Sequence, residues 1–397
     1  MPTDTLISED GFTLEQWQAF VCGKASPIVD YQNKLARRAL SKFSDPQNWA
    51  WTRRLLEQSS DQWVARMVAD AYPVNALVHD VCSGAGGDSV ALGLRGPVRS
   101  LDLSPIACLL CESNLQSNRV KDFAVENNIA ESLIVSHDDW VHIDPDRRSL
   151  GTVGSGNRTT NAEYFMPPLE IVLRLISESH GGSIKVAPIT QADETSFAKC
   201  VTGNHLFHQM GKQFISWGNS VRQQRWWWNI DRFPSGTITI STMQTKDLWT
   251  HWTFEAIDRP SHEHFERITE TIPANARFIG DTDPAVRAAE AQMILANQRD
   301  SEVLGSEQGY FFTEAIPSSS DALIQWFEIE EILPLDRKRL RQYLRSNNIG
   351  VLEIKVRDAQ IIPEVLRKEM KLSGDKSRTL LITRTGKKLI AVIARRF

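Results

Sequence analysis

Nine residues constrain this chain more than any others: Asp80-Val81-Cys82-Ser83-Gly84-Ala85-Gly86-Gly87-Asp88. The run that leads into them, Ala76-Leu77-Val78-His79-Asp80-Val81, reads as a short buried strand, and the glycines that follow let the backbone bend sharply and approach a ligand closely. A strand, a glycine bend and a short helix from Asp88 begin an α/β unit. The alternation continues with a strand at Val98 to Leu103, a helix from Pro105 to about Asn118 and a strand near Trp140 to Ile143. A helix around Pro168 to Glu178 and a strand at Ser183 to Val186 extend it. Strands alternating with helices predict a doubly wound parallel sheet, a Rossmann-like α/β fold.

A chain of 397 residues exceeds one ordinary core, so two or three compact units are expected. Apolar residues at helical spacing, such as Trp17, Phe20 and Val21 or Trp63, Val64 and Met67, predict an N-terminal helical region over 1–72. The sheet-forming domain then runs over 73–272, with β-rich stretches between Phe214 and His251 suggesting an antiparallel edge. Pro273 to Asp283 reads as a linker, followed by a helix at Pro284 to Asn297. A compact α/β module over 284–397 closes the chain: helix Leu335 to Ser346, strand Val351 to Val356, helix Pro363 to Met370, and strands Thr379 to Thr383 and Leu389 to Ile393.

The net charge of -4 conceals an asymmetry, because Pro334 to Phe397 carries 17 Lys/Arg against 6 Asp/Glu. Such a basic module raises affinity for polyanions, of which nucleic acid is the commonest. Met1 to Gln16 has no basic segment before an apolar stretch, and no window nears the roughly 18 apolar residues of a membrane span. Five cysteines, an odd number, do not make a disulfide framework. The expectation is a cytoplasmic protein with no membrane partner.

The acid at the strand end discriminates between cofactors. A dinucleotide would favour a glycine at position 89, which is Ser, and would meet the anionic Asp88 where its phosphates bind. S-adenosyl-L-methionine has no phosphate; its sulfonium and ammonium suit a carboxylate such as Asp80, with Cys82, Gly84 and Gly86 forming the bend around it. Asp102 closes the second strand near the offset at which an acid accepts from ribose hydroxyls. Glu126 and Asn127, with Asn128, are the candidates for the adenine.

Trp140-Val141-His142-Ile143-Asp144-Pro145-Asp146-Arg147-Arg148 then places Asp144-Pro145 at the end of a fourth strand. Acid and glycine loop, ribose acid and Asp-Pro-x-Arg-Arg, in that order, resemble the class I methyltransferases that carry a THUMP-like C-terminal domain. Leu56-Glu57-Gln58, Lys185-Val186-Ala187-Pro188, Asp283-Pro284-Ala285-Val286-Arg287 and Gly350-Val351-Leu352-Glu353-Ile354-Lys355 extend the resemblance over nearly the whole chain. It implies a Rossmann-like methyltransferase domain joined to an RNA-binding type of module, with RNA as substrate.

Asp144 is the candidate for orienting or deprotonating a base nitrogen, and Pro145 shapes the backbone beside it. Arg147 and Arg148 are candidates for clamping a substrate phosphate. His142, on a buried strand, and Cys108 with Cys111, on a helix, are read as packing residues. Trp226-Trp227-Trp228 is read as a buried strand ahead of a base-stacking platform. No metal-ligand spacing is found. Two other functions fit the same residues: a nucleic-acid-binding protein with an inactive methyltransferase fold, or a small-molecule methyltransferase.

Overall fold

The computed structural model describes residues 7–24, 26–145, 166–186, 210–256 and 267–397. By contact density the chain divides into two compact units, one of 1–215, 223–239 and 245–248, the other of 216–222, 240–244 and 249–397.

The first unit is built on strands β1 (Val78–Val81), β2 (Val98–Asp102), β3 (Phe123–Asn127), β4 (Trp140–Ile143) and β5 (Gly181–Val186). β6 (Gly211–Trp217), β7 (Ser220–Trp228), β8 (Thr237–Thr245) and β9 (Leu248–Glu255) continue the sheet in the order β3-β2-β1-β4-β5-β7-β6-β8-β9. β1 pairs in parallel with β2 and β4, β2 with β3 and β4 with β5, whereas β5 meets β7 antiparallel. Every residue of β1 and β5 is buried, as a strand covered on both faces requires. The crossover helix Pro105–Ser117 starts where the sequence directs it: Ser104 Oγ accepts from Ala107 N at 3.3 Å, and Pro105 fills the first turn.

Four helices, Leu14–Val21, Ile28–Ala39, Arg53–Gln58 and Gln62–Ala69, precede the sheet. Apolar residues of the first three join Ala85, Ile106 and Leu110 in one buried cluster around Trp17, Phe43 and Trp51. Asn114, 1% exposed, ties the N-terminal extension to the glycine bend: its Nδ2 donates to Ala50 O at 2.9 Å and to Ala85 O at 2.8 Å.

The second unit contains β10 (Ile268–Thr269), β11 (Phe278–Thr282), β12 (Glu302–Leu304), β13 (Phe311–Thr313), β14 (Ile324–Pro334), β15 (Ile349–Val356), β16 (Lys376–Thr385) and β17 (Lys388–Arg396). Their order is β10-β12-β13-β11-β14-β17-β16-β15. Helices Arg337–Ser346 and Pro363–Met370 bury Leu340, Leu344, Leu366 and Met370 against Leu352, Ile354, Leu380 and Ile382.

Two expectations are corrected here. The segment 273–283 is no linker, since it holds β11, fully buried and paired antiparallel to both β13 and β14. The helix expected over Pro284–Asn297 is two helices, Pro284–Ala288 and Gln292–Gln298, because Glu290 adopts a left-handed φ of 54° between them.

Candidate cofactor and active site

The chain winds outward from β1 through β2 to β3, then returns to place β4 on the other side of β1. Ligands of open α/β sheets bind beyond the strand ends at such a reversal. The register puts Val81 level with Leu101 on β2 and Ile143 on β4. Asp102 and Asp144 therefore stand one residue further on, flanking Cys82 and about 10 Å apart by strand spacing.

The bend itself is held by backbone. Cys82 N and Ser83 N both donate to Leu101 O, at 2.9 and 3.1 Å, and Cys82, Gly84 and Gly86 take positive φ of 65°, 55° and 81°. At Gly86 a side chain has no room, because an added Cβ would lie 2.8 Å from Cys111 Sγ and 3.3 Å from Cys111 Cα. This explains the buried Cys111 on the helix above the bend: burial pushes its thiol up to about 12, and that of Cys108 to about 11. Neither is a reactive thiolate, and among the described residues no cluster of potential metal ligands is found.

Asp102 caps the bend. Its Oδ2 accepts from Gly84 N and its Oδ1 from Ser104 N, each at 2.9 Å, while the side chain stays partly exposed. Beside it, Asn127 Nδ2 donates to Asp102 O at 3.1 Å and Leu103 O at 2.9 Å, and Cys108 Sγ to Glu126 O at 3.4 Å. The side chains of Glu126 and Asn127 are exposed at the same end of the sheet.

Asp80 is placed differently. Its carboxylate is 1% exposed and turned inward, with Oδ2 accepting from Ser89 Oγ at 2.5 Å. Burial is the main reason its pKa is pushed up to about 6, against the opposing pull of His142. Asp80 thus braces the bend from beneath, where the sequence suggested an acid facing the donor.

A folded-state pKa above the unfolded one means that Asp80 stabilises the fold fully at low pH, and that this contribution is lost as pH rises through about 6. Asp80→Asn is therefore expected to gain stability relative to the wild type as pH rises from 5 to 7, by about 1 kcal/mol. Urea midpoints at both pH values measure this; an unchanged difference would contradict a strained buried carboxylate.

Asp144 lies at the end of β4, with its backbone N donating to Val81 O at 3.1 Å and Pro145 buried behind it. Its Oδ2 is 2.6 Å from Lys185 Nζ, at the end of β5. The lysine reaches on to Ser60 Oγ at 3.4 Å, and that hydroxyl donates to Asp88 Oδ2 at 3.0 Å. Asp88 is buried beside His142 Nε2 at 3.5 Å and Arg225 Nη2 at 3.7 Å. Burial alone would raise its pKa, but the His142 contact and the charges of His142, Arg225 and Lys185 outweigh it and hold the carboxyl below the usual range.

Arg225, fully buried on β7, donates to Ser183 Oγ at 2.9 Å and lies 3.1 Å from His142 Nε2; Tyr72 Oη sits 2.9 Å from Ser183 Oγ and 3.2 Å from His142 Nδ1. Sequence reasoning singled out Asp88 and His142 but not the network that joins them. Its members come from helix Gly87–Gly93, β4, β5, β7 and the loop residues Ser60 and Tyr72, and only the lone charges within apolar strands hinted at it. Trp226, Trp227 and Trp228 are 1%, 0% and 8% exposed and offer no face to a base. Arg147 and Arg148 lie outside the described residues.

The residues at the crevice fit S-adenosylmethionine. Ser83 Oγ is buried without a hydrogen-bond partner among the described residues, Asp102 is partly exposed at the strand tip, and no phosphate has to be accommodated.

Comparison with known proteins agrees. Residues 324–396 match the family model described as THUMP domain-like. Two uncharacterized S-adenosylmethionine-dependent methyltransferases of Mycobacterium tuberculosis, from strains CDC 1551 / Oshkosh and ATCC 25618 / H37Rv, are each 24% identical over 379 residues, covering 92% of this chain and 94% of theirs. A solved structure classed as a methyltransferase, from Porphyromonas gingivalis W83, superposes with a TM-score of 0.70 at 17% identity, covering 96% of this chain and 94% of that one. The chain has the class I methyltransferase fold. It carries that fold together with a THUMP-like C-terminal domain, and S-adenosylmethionine is the cofactor of the class.

Proposed function

We propose that this S-adenosylmethionine-dependent methyltransferase acts on RNA, through a helical region at 1–72, a catalytic domain at 73–272 and an RNA-facing module at 284–397. The observation that carries the reading is Asp102, whose carboxylate holds the glycine bend at the point where the sheet reverses. The RNA half rests on the THUMP-like match and on the charge of the C-terminal residues, 17 Lys/Arg against 6 Asp/Glu from Pro334 onward.

When bound, S-adenosylmethionine supplies an electrophilic methyl group. The chain supplies position, which contributes most of the rate in such a transfer. Asp102 takes the ribose hydroxyls, with Glu126 and Asn127 beside the adenine. Cys82, Gly84 and Gly86 give the donor a close backbone wall, and Asp80 supports that wall from below. Asp144 accepts the hydrogen bond of the target nitrogen, Pro145 fixes its backbone, and Arg147 with Arg148 hold a substrate phosphate. Lys185 is a positioning residue: its ammonium, 2.6 Å from Asp144 Oδ2, holds that carboxylate aimed.

Lys185→Met is expected to lower kcat by about 10- to 100-fold with a smaller change in KM for the cofactor. Lys185→Arg should restore part of the rate. Steady-state kinetics decide it; equal loss for both variants would leave Lys185 a purely structural residue. Mass spectrometry of RNA nucleosides from cells with and without the protein tests the substrate. One methylated nucleoside should disappear with the gene, and an unaltered RNA profile alongside a missing methylated small molecule would favour the small-molecule reading.

A further inference from the structure

We infer that the N-terminal helical region contains a second nucleic-acid contact, a cationic concavity on helix Ile28–Ala39 that takes the phosphodiester backbone of a single RNA strand. The inference rests on the RNA reading above and adds a surface outside the THUMP-like domain.

A cavity of about 490 Å³ is lined by Asp10, Tyr31, Lys34, Leu35, Arg37, Arg38 and Arg53. Lys34, Arg37 and Arg38 follow one another at i, i+3 and i+4, so helical geometry puts them on one face. All three are exposed, and none of their side chains forms an ion pair or hydrogen bond with another described residue. The one carboxylate in the lining is already engaged: Asp10 Oδ2 accepts from Arg53 N at 3.0 Å. Arg53 Nε is paired with Glu57 at 3.0 Å. Three cations therefore face the cavity against the single carboxylate of Asp10.

Cations near a helix C-terminus are ordinarily explained by the macrodipole, which favours Arg37 and Arg38 in the last turn. The macrodipole does not account for the floor beneath them. That floor is the buried Leu35 and the half-buried ring of Tyr31, whose hydroxyl is held by Asp10 and Arg53 N. Positive charge around an apolar and aromatic floor is the arrangement that holds a phosphate while a base lies against a ring. Guanidinium forks at Arg37 and Arg38 match phosphate oxygens bidentately.

The test compares two double variants of the full chain with equal charge change: Arg37→Glu/Arg38→Glu and, on exposed sites elsewhere in the same unit, Lys24→Glu/Lys121→Glu. Binding of a fluorescent single-stranded RNA oligonucleotide is followed by anisotropy over a salt series, with circular dichroism confirming the fold. The cavity variant should lose at least tenfold in affinity and reduce the log–log salt slope by about 1.4, two strand phosphates' worth, while the control loses less than threefold. Equal losses would overturn the inference. So would adenosine monophosphate binding that vanishes in the cavity variant while its RNA affinity stays at the wild-type value, since the occupant would then be a free nucleotide. A wild type that binds no RNA would defeat the functional reading itself, an outcome distinct from wild-type binding that the cavity variant leaves intact.

Discussion

Asp102→Ala is expected to weaken S-adenosylmethionine binding by about 100-fold or more. The carboxylate is the acceptor for Gly84 N and Ser104 N and the only acid at the tip of β2. Hydrogen bonds to a charged acceptor contribute about 1.5 to 3 kcal/mol each, so losing two ribose contacts alone accounts for such a fall. Asp102→Asn keeps the shape but not the charge, and should lie between the alanine variant and the wild type. Calorimetry with the cofactor measures both. Affinity unchanged in Asp102→Ala would remove Asp102 from the site and leave the crevice without its principal contact.

A second large effect is expected in stability. Arg225→Met should destabilise the first unit by about 3 to 5 kcal/mol, because it leaves buried Asp88 short of a compensating charge and Ser183 and His142 short of a donor. The double variant Arg225→Met/Asp88→Asn should recover part of that loss, since removing both charges is far less costly than stranding one. Asp88 also carries a pH signature. Its folded pKa lies below the unfolded one, so its contribution is present above about pH 4 and is lost as pH falls further. Denaturant midpoints of the three proteins report the coupling directly; a single variant as stable as the wild type would show that the network is dispensable.

The parts of the fold legible in the sequence are those punctuated by strong local signals. Strand Trp140–Ile143 and helix Pro363–Met370 lie where the alternation and the helix-starting proline put them. The parts that were not legible depend on partners distant in sequence. Segment 273–283 looked like a linker because Pro273, Asn275, Gly280, Asp281 and Asp283 are turn formers. Yet Gly280 is the residue that lets β11 pass Trp326, whose ring an added Cβ would meet at 2.7 Å. Asp281 is tolerated there because Lys355 and Arg357 reach it at 2.8 and 2.7 Å. Glu290 broke a helix that Ala288, Ala289 and Ala291 would otherwise favour.

The site divides in the same way. The placement of Asp102 and Asp144 at strand tips was legible because strand ends at a sheet reversal are predictable from topology. The inward turn of Asp80 was not, since it depends on the hydroxyl of Ser89, in the first turn of the packed helix beyond the bend. Nor was Lys185, whose role is set by a neighbouring strand 41 residues away from Asp144.

Methyl delivery from this crevice to RNA can be followed by incubating the full chain with S-adenosylmethionine labelled in the methyl group and total RNA, then counting acid-precipitable label before and after ribonuclease. Ribonuclease-sensitive incorporation by the wild type, lost in Asp102→Ala and in Asp144→Ala, is the predicted result. Cofactor binding with no label entering RNA would contradict it.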